Sequence, residues 1–148
     1  MKKCMMLICT VAIFLAMSSL AYAQETPKAK KMEGKSWHQV VLVNFKPGMN
    51  GEAMKIIRNN FEKAGEKAGT TGPSMMMEMR SGEWDMMLVW NMDDISDMNW
   101  EVSPDNEKWW ATMAEQEGSA ENAMKVWQKY MGMIQSSTSY IGTSQNPN

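Results

Sequence analysis

Residues Trp37–Phe45 read W-H-Q-V-V-L-V-N-F, and both alternating sets, His38/Val40/Leu42/Asn44 and Gln39/Val41/Val43/Phe45, are largely apolar. A short β-branched run of this kind is a strand covered on both faces. Lys46-Pro47-Gly48 breaks it, and Asn50 is placed to cap a helix running to about Ala68. Within that helix Met54, Ile57, Phe61, Ala64 and Ala68 recur at spacings of three and four, with charged residues such as Glu52, Lys55, Arg58, Glu62 and Glu66 opposite. A one-faced helix packs on something flat, and the preceding strand supplies the first piece of it.

Gly69–Pro73 ends the helix, and Ser74–Asn91 reads as a β-hairpin turning at Ser81-Gly82. A tight turn there sets Met75 opposite Leu88, Met77 opposite Met86 and Met79 opposite Trp84, with Trp90 beyond on the same face. The other face then carries Met76 opposite Met87, Glu78 opposite Asp85 and Arg80 opposite Glu83, so apolar and charged pairs segregate. Asp93-Asp94 opens a helical stretch broken at Ser103-Pro104. Pro104 suits the first turn of a second piece, which carries Trp109, Trp110 and Met113. Ser119 caps a further helix with Ala123, Val126, Trp127 and Tyr130, and Ser136–Ile141 is a weaker last strand.

Strand, helix, strand, strand, helical region, strand is the split β-α-β order of the ferredoxin-like α+β class, a four-stranded antiparallel sheet with helices on one face. The other face needs cover. Exposed, it would form an apolar patch larger than a monomer tolerates, and a second copy of the same sheet is the simplest cover.

On these residues the chain resembles the dimeric α+β barrel superfamily, which includes antibiotic-biosynthesis-monooxygenase-like proteins. The resemblance runs from Trp37 to about Ile141. It rests on the entry strand with Lys46-Pro47-Gly48-Met49 and its helix, on the Gly82-Glu83-Trp84-Asp85 hairpin, and on the Asn91–Trp110 helical region. It implies a homodimer with a pocket between sheet and helices. It also implies an activity range from cofactor-independent oxygenases through haem-handling enzymes to proteins of no known activity. No enzyme subgroup's catalytic set is present to carry over. The helix at Ser119–Met131 is an addition to the usual plan. Haem-handling relatives commonly place a ligating His in a helical region, whereas the sole His, His38, opens a strand, so no cofactor is expected.

Around this domain the chain has 148 residues, 15 basic against 17 acidic side chains, 19 Met, 7 Trp and 2 Cys. That composition excludes a disordered polymer, a collagen-like repeat and a polybasic nucleic-acid binder. Lys2-Lys3, the apolar run Cys4–Met17 and the small-residue pattern Ala21-Tyr22-Ala23 make residues 1–23 a cleaved secretory signal, with the mature chain starting at Gln24. Both Cys leave with it. The mature protein is then expected in the periplasm or outside the cell, with neither disulfide nor thiolate metal site and no membrane attachment. Its net charge of −4 argues against nucleic acid as a partner. The expected layout is a flexible leader over 24–36, a single α+β barrel domain over 37–142 and a polar tail over 143–148.

For function, the residues singled out as ligand-binding are His38, Asn44, Trp84, Trp90 and Trp109, around a small, largely apolar or aromatic molecule. The seven Trp could line a site for a flat ring, although each also fills core volume. Trp109 and Trp110, adjacent on a helix, are expected to point different ways, leaving one toward a cavity or solvent. A shielded Glu78–Asp85 pair could share a proton for acid–base chemistry, against which stands a solvated network with Arg80 and Glu83. The alternative to a ligand-binding or oxygenase-like protein is a non-catalytic one. Its Met cluster, with Met77 and Met86 facing each other, would then either bind copper(I) through thioethers or simply fill an interface. Asp93, Asp94 and Asp97 lack the spacing of a Ca²⁺ loop, and no phosphate-binding, dinucleotide or hydrolase motif is present.

Overall fold

The computed structural model describes residues 27–145. The expected signal segment lies outside the described residues. The chain divides into two units, and residues 27–32, which carry no regular secondary structure, belong to the first. The second unit, from Glu33 onward, holds all the regular secondary structure of the described residues.

β1 (Lys35–Phe45) opens two residues earlier than the hydrophobic pattern suggests, within the expected leader. It is followed by α1, a continuous rod made of α-helix Asn50–Ile56, a π-helical turn Ile57–Phe61 and α-helix Glu62–Ala68. The helix N-cap is Met49, with no side-chain cap, rather than Asn50. Gly69, at φ 64°, closes the rod in the left-handed conformation that suits a residue without Cβ. β2 (Met75–Glu78) and β3 (Met86–Met92) form the hairpin. A single 3₁₀ turn, Ile95–Asn99, leads to α2 (Pro104–Glu117), which begins with Ser103 accepting the Asn106 N–H at 3.1 Å. α3 (Ala120–Met133) begins in the same way, Ser119 accepting from Asn122, also at 3.1 Å.

β4 (Ile134–Gln145) runs twelve residues, well past the expected Ile141, so residues 143–145 are strand rather than tail. Its Ser- and Thr-rich sequence has little β-pattern of its own. It is held by pairing with β1 along nearly its whole length, from Lys35↔Gln145 to Phe45↔Ile134. The sheet order is β2-β3-β1-β4, all antiparallel, which is the ferredoxin-like arrangement.

The hairpin register differs from the expectation by one residue. Met75 pairs with Val89, Met76 with Leu88, Met77 with Met87 and Glu78 with Met86. The connection is wider than a two-residue turn: the Met79 N–H donates to the Asp85 carbonyl at 2.8 Å, enclosing Arg80–Trp84, with Gly82 at φ 101°. Because strand side chains alternate, this slip exchanges the two faces of β2. Met76 now joins Met86 and Leu88 beneath the helices, and Met75 and Met77 join Met87 and Val89 on the opposite face.

The helix-covered face forms the main core. Val41, Val43 and Phe45 of β1 pack with Met86, Leu88, Met54, Ile57, Tyr130 and Met133, and a smaller cluster of Ala64, Met113 and Ala123 joins the three helices. The opposite face carries two cross-strand rows, Met75–Val89–Val40–Tyr140 and Met77–Met87–Leu42–Thr138. Among the described residues none of these eight belongs to either core, and Met75, Met77 and Tyr140 are exposed.

Candidate functional site

The π turn in α1 is where the site begins. A π turn inserts a residue into the helical ladder and loosens the carbonyls around it; such turns are frequent at functional sites. Here the Phe61 carbonyl accepts the Trp109 indole N–H at 3.1 Å, and the Asn60 amide donates to Glu117 at 2.8 Å. These contacts set α2 at a fixed offset from α1. Helix α3 then leans in with Trp127 and Tyr130.

The result is a cleft of about 620 Å³ between the three helices and the sheet. Its walls are Phe61, Trp109, Trp110, Trp127 and Tyr130, and its floor is Met76 of β2 with Leu88 and Trp90 of β3. The exposed side chains of Glu62, Glu66 and Asn106 stand at its rim with Thr70, Thr71 and the half-buried Asp105. The rings meet edge to face: Trp109 and Trp110 at 5.0 Å and 79°, Phe61 and Tyr130 at 5.1 Å and 83°, Trp110 and Trp127 at 5.7 Å and 71°. Such geometry sets the positive ring edge against a negative face and holds the wall rigid. Burial pushes the Tyr130 phenol up to about 12, so it remains a neutral hydroxyl at any physiological pH.

The residues singled out from sequence fall in three places. Trp90 and Trp109 line the cleft. Trp84 sits half-buried in the hairpin connection and is not among the lining residues. His38 and Asn44 alternate with the buried Val43 and Phe45, which puts them on the sheet face away from the helices. There His38 Nδ1 lies 3.1 Å from the Asn91 side-chain oxygen and Nε2 lies 2.7 Å from the Ser144 hydroxyl. A hydrogen on Nδ1 lets the ring donate to the amide and accept from the hydroxyl, so both nitrogens are engaged in a network that also includes Ser74.

Three other expectations are corrected by the register and the packing. Glu78 and Asp85 do not face each other: Glu78 pairs with Arg58, and the Asp85 carboxylate accepts the Phe45 backbone N–H at 2.7 Å. Met77 and Met86 lie on opposite faces, so their sulfurs cannot share an ion; Met86 is fully buried. Trp109 and Trp110 do share one cavity, because large rings on neighbouring positions swing toward the same void to meet Trp127. Phe61, Trp127 and Tyr130 also line the cleft, although the sequence pattern marks them only as apolar positions of helices. Their helical spacing was evident, but spacing does not disclose a gap between packed helices.

A second, shallower depression of about 400 Å³ lies over α1 and α3. It contains the exposed Glu52–Lys129 ion pair, whose hydrogen bond holds the Glu52 carboxyl below its usual range. Lined by charged and amide side chains with Ile56, it has no aromatic wall.

With this geometry in place, the chain is similar to several solved structures. One is a NIPSNAP family protein from Agrobacterium tumefaciens, 12% identical, covering 82% of this chain and 96% of that one at a TM-score of 0.52. A second NIPSNAP family protein from the same organism, of unknown function, is 10% identical over 79% of this chain and 95% of that one, TM-score 0.51. An uncharacterised NIPSNAP domain protein from Burkholderia xenovorans is 12% identical over 76% and 99%, TM-score 0.50. At these identities the likeness is one of fold, and it agrees with the ferredoxin-like α+β architecture. No family model and no curated protein matches the sequence.

Proposed function

We propose that this protein is a secreted or periplasmic homodimer that binds a small apolar or aromatic molecule in the cleft between its helices and sheet. The cleft itself carries the reading. Its volume of about 620 Å³ falls within the ordinary range of ligand sites, and four of the seven Trp converge on it. A solid core would have used those rings to fill space. The proposed pairing rests on the two apolar rows, Met75–Val89–Val40–Tyr140 and Met77–Met87–Leu42–Thr138, which a second copy would cover. The proposed location rests on the Ala21-Tyr22-Ala23 cleavage pattern. Oxygenase-like catalysis rests on the superfamily resemblance alone, and binding is the function put forward.

Native mass spectrometry of protein purified without denaturation, with and without added indole, tests this reading. A dimer that carries a small-molecule adduct or takes up one indole per chain supports it. A ligand-free chain that takes up no indole contradicts it.

A further inference from the structure

The rim of the cleft has a sign. Glu62, Glu66 and Asp105 contribute to its lining, and no Lys, Arg or His does. Glu62 and Glu66 are one helical turn apart on the same side of α1, a like-charge spacing that disfavours the helix unless a cation answers it. Of the neighbouring bases, Arg58 pairs with Glu78 and Lys67 with Glu115, away from the rim, while Lys108 answers Asp105 within it. Among the described residues neither Glu62 nor Glu66 has an ion-pair partner, and no group of three or more His, Cys, Asp or Glu is placed to hold a metal ion. Behind these carboxylates stand Trp109, Trp110 and Trp127, whose ring faces attract organic cations.

We propose that the cleft selects an aromatic amine in its ammonium form, its ring among the tryptophans and its charge at the Glu62–Glu66 rim. This deepens the ligand-binding reading and rests on it. Aromatic walls alone would accept any flat apolar molecule; the uncompensated carboxylates at the mouth raise the affinity of a cation and lower that of an anion of the same shape. Water at the rim screens the charge, so the selectivity is moderate and falls with salt.

The test is calorimetric titration of the intact protein with three probes of one shape: tryptamine, a cation; tryptophol, neutral; and indole-3-propionate, an anion. Tryptamine is expected to bind about tenfold more tightly than tryptophol at low salt, and the anion more weakly than either. In the double variant Glu62→Gln with Glu66→Gln, both exposed positions, the ratio of tryptamine to tryptophol affinity falls to about one. Equal affinities for tryptamine and tryptophol in the intact protein, or an equal loss for both in the variant, overturn the charge selectivity and leave the ligand cleft standing. Failure of all three probes to bind overturns both readings.

Discussion

Trp109 donates its indole N–H to the carbonyl oxygen of Phe61, 3.1 Å away, at the end of the π turn in α1, and their rings meet at 5.5 Å and 66°. One residue pair thus ties the irregular part of α1 to α2 and forms one wall of the cleft. The substitution Trp109→Phe keeps an aromatic ring but removes the donor. It is expected to cost about 1–2 kcal/mol in urea denaturation, the usual range for a lost partly buried hydrogen bond with some lost packing. A change smaller than a few tenths would show that the bond does not position the helix.

Tyr130 makes stability depend on alkaline pH. Its folded value of about 12 lies above the ordinary phenol value of 10, so above pH 10 the unfolded chain releases a proton that the folded chain retains. The contribution is fully present below pH 10 and is lost progressively up to pH 12. Two units correspond to roughly 2–3 kcal/mol. Because Lys and Arg also titrate there, the measurement is the difference between the wild type and Tyr130→Phe in denaturant midpoints from pH 9 to 12. The variant is expected to lose less stability over that window.

Gly118 ends α2 at φ 83°, with its N–H donating to Glu115 O at 3.3 Å. An L side chain there is strained by about 1–2 kcal/mol, and Gly118→Ala is expected to lower stability by that amount in thermal or urea unfolding. Gly65 behaves oppositely. It lies inside a helical stretch, and a Cβ there would meet Trp109 at 3.9 Å and the Thr70 hydroxyl at 3.7 Å, ordinary contacts. Gly65→Ala should therefore stabilise by up to about 1 kcal/mol, since Gly weakens a helix interior.

The apolar sheet face supplies a test of self-association. Leu42 lies at its centre, paired with Met87 and Thr138. Placing a carboxylate there buries an unpaired charge in any symmetric contact through this face. Sedimentation velocity is expected to show a dimer for the wild type and a monomer for Leu42→Glu, with the circular dichroism spectrum unchanged. A wild-type monomer would remove the dimer from the account without touching the cleft.

The architecture was legible because its signals are strong and local. The two-sided strand at Trp37–Phe45, the amphipathic rod to Ala68, Pro104 at a helix start and Ser119 as a cap each have one reading, and together they admit few topologies. The hairpin register was not legible, for a definable reason. Met75, Met76 and Met77 are chemically identical, so either register puts Met on both faces of β2, and the width of the Arg80–Trp84 connection decides between them. The length of β4 was hidden likewise, since residues 142–145 owe their strand conformation to pairing with β1. As for the site, Trp90 and Trp109 could be suspected from their type. The convergence of Phe61, Trp127 and Tyr130 upon them depends on the π turn and on how α2 and α3 lean over the sheet, neither of which any periodicity encodes.

The most direct measurement is an isothermal titration of the wild-type protein and of Gly65→Leu with indole. Gly65 borders the cleft beside Trp109, and a leucine there projects into it. The account predicts saturable binding of one indole per chain in the wild type and its loss in Gly65→Leu, while the thermal transition stays cooperative. No saturable heat in the wild type, or the same isotherm in both proteins, would contradict it.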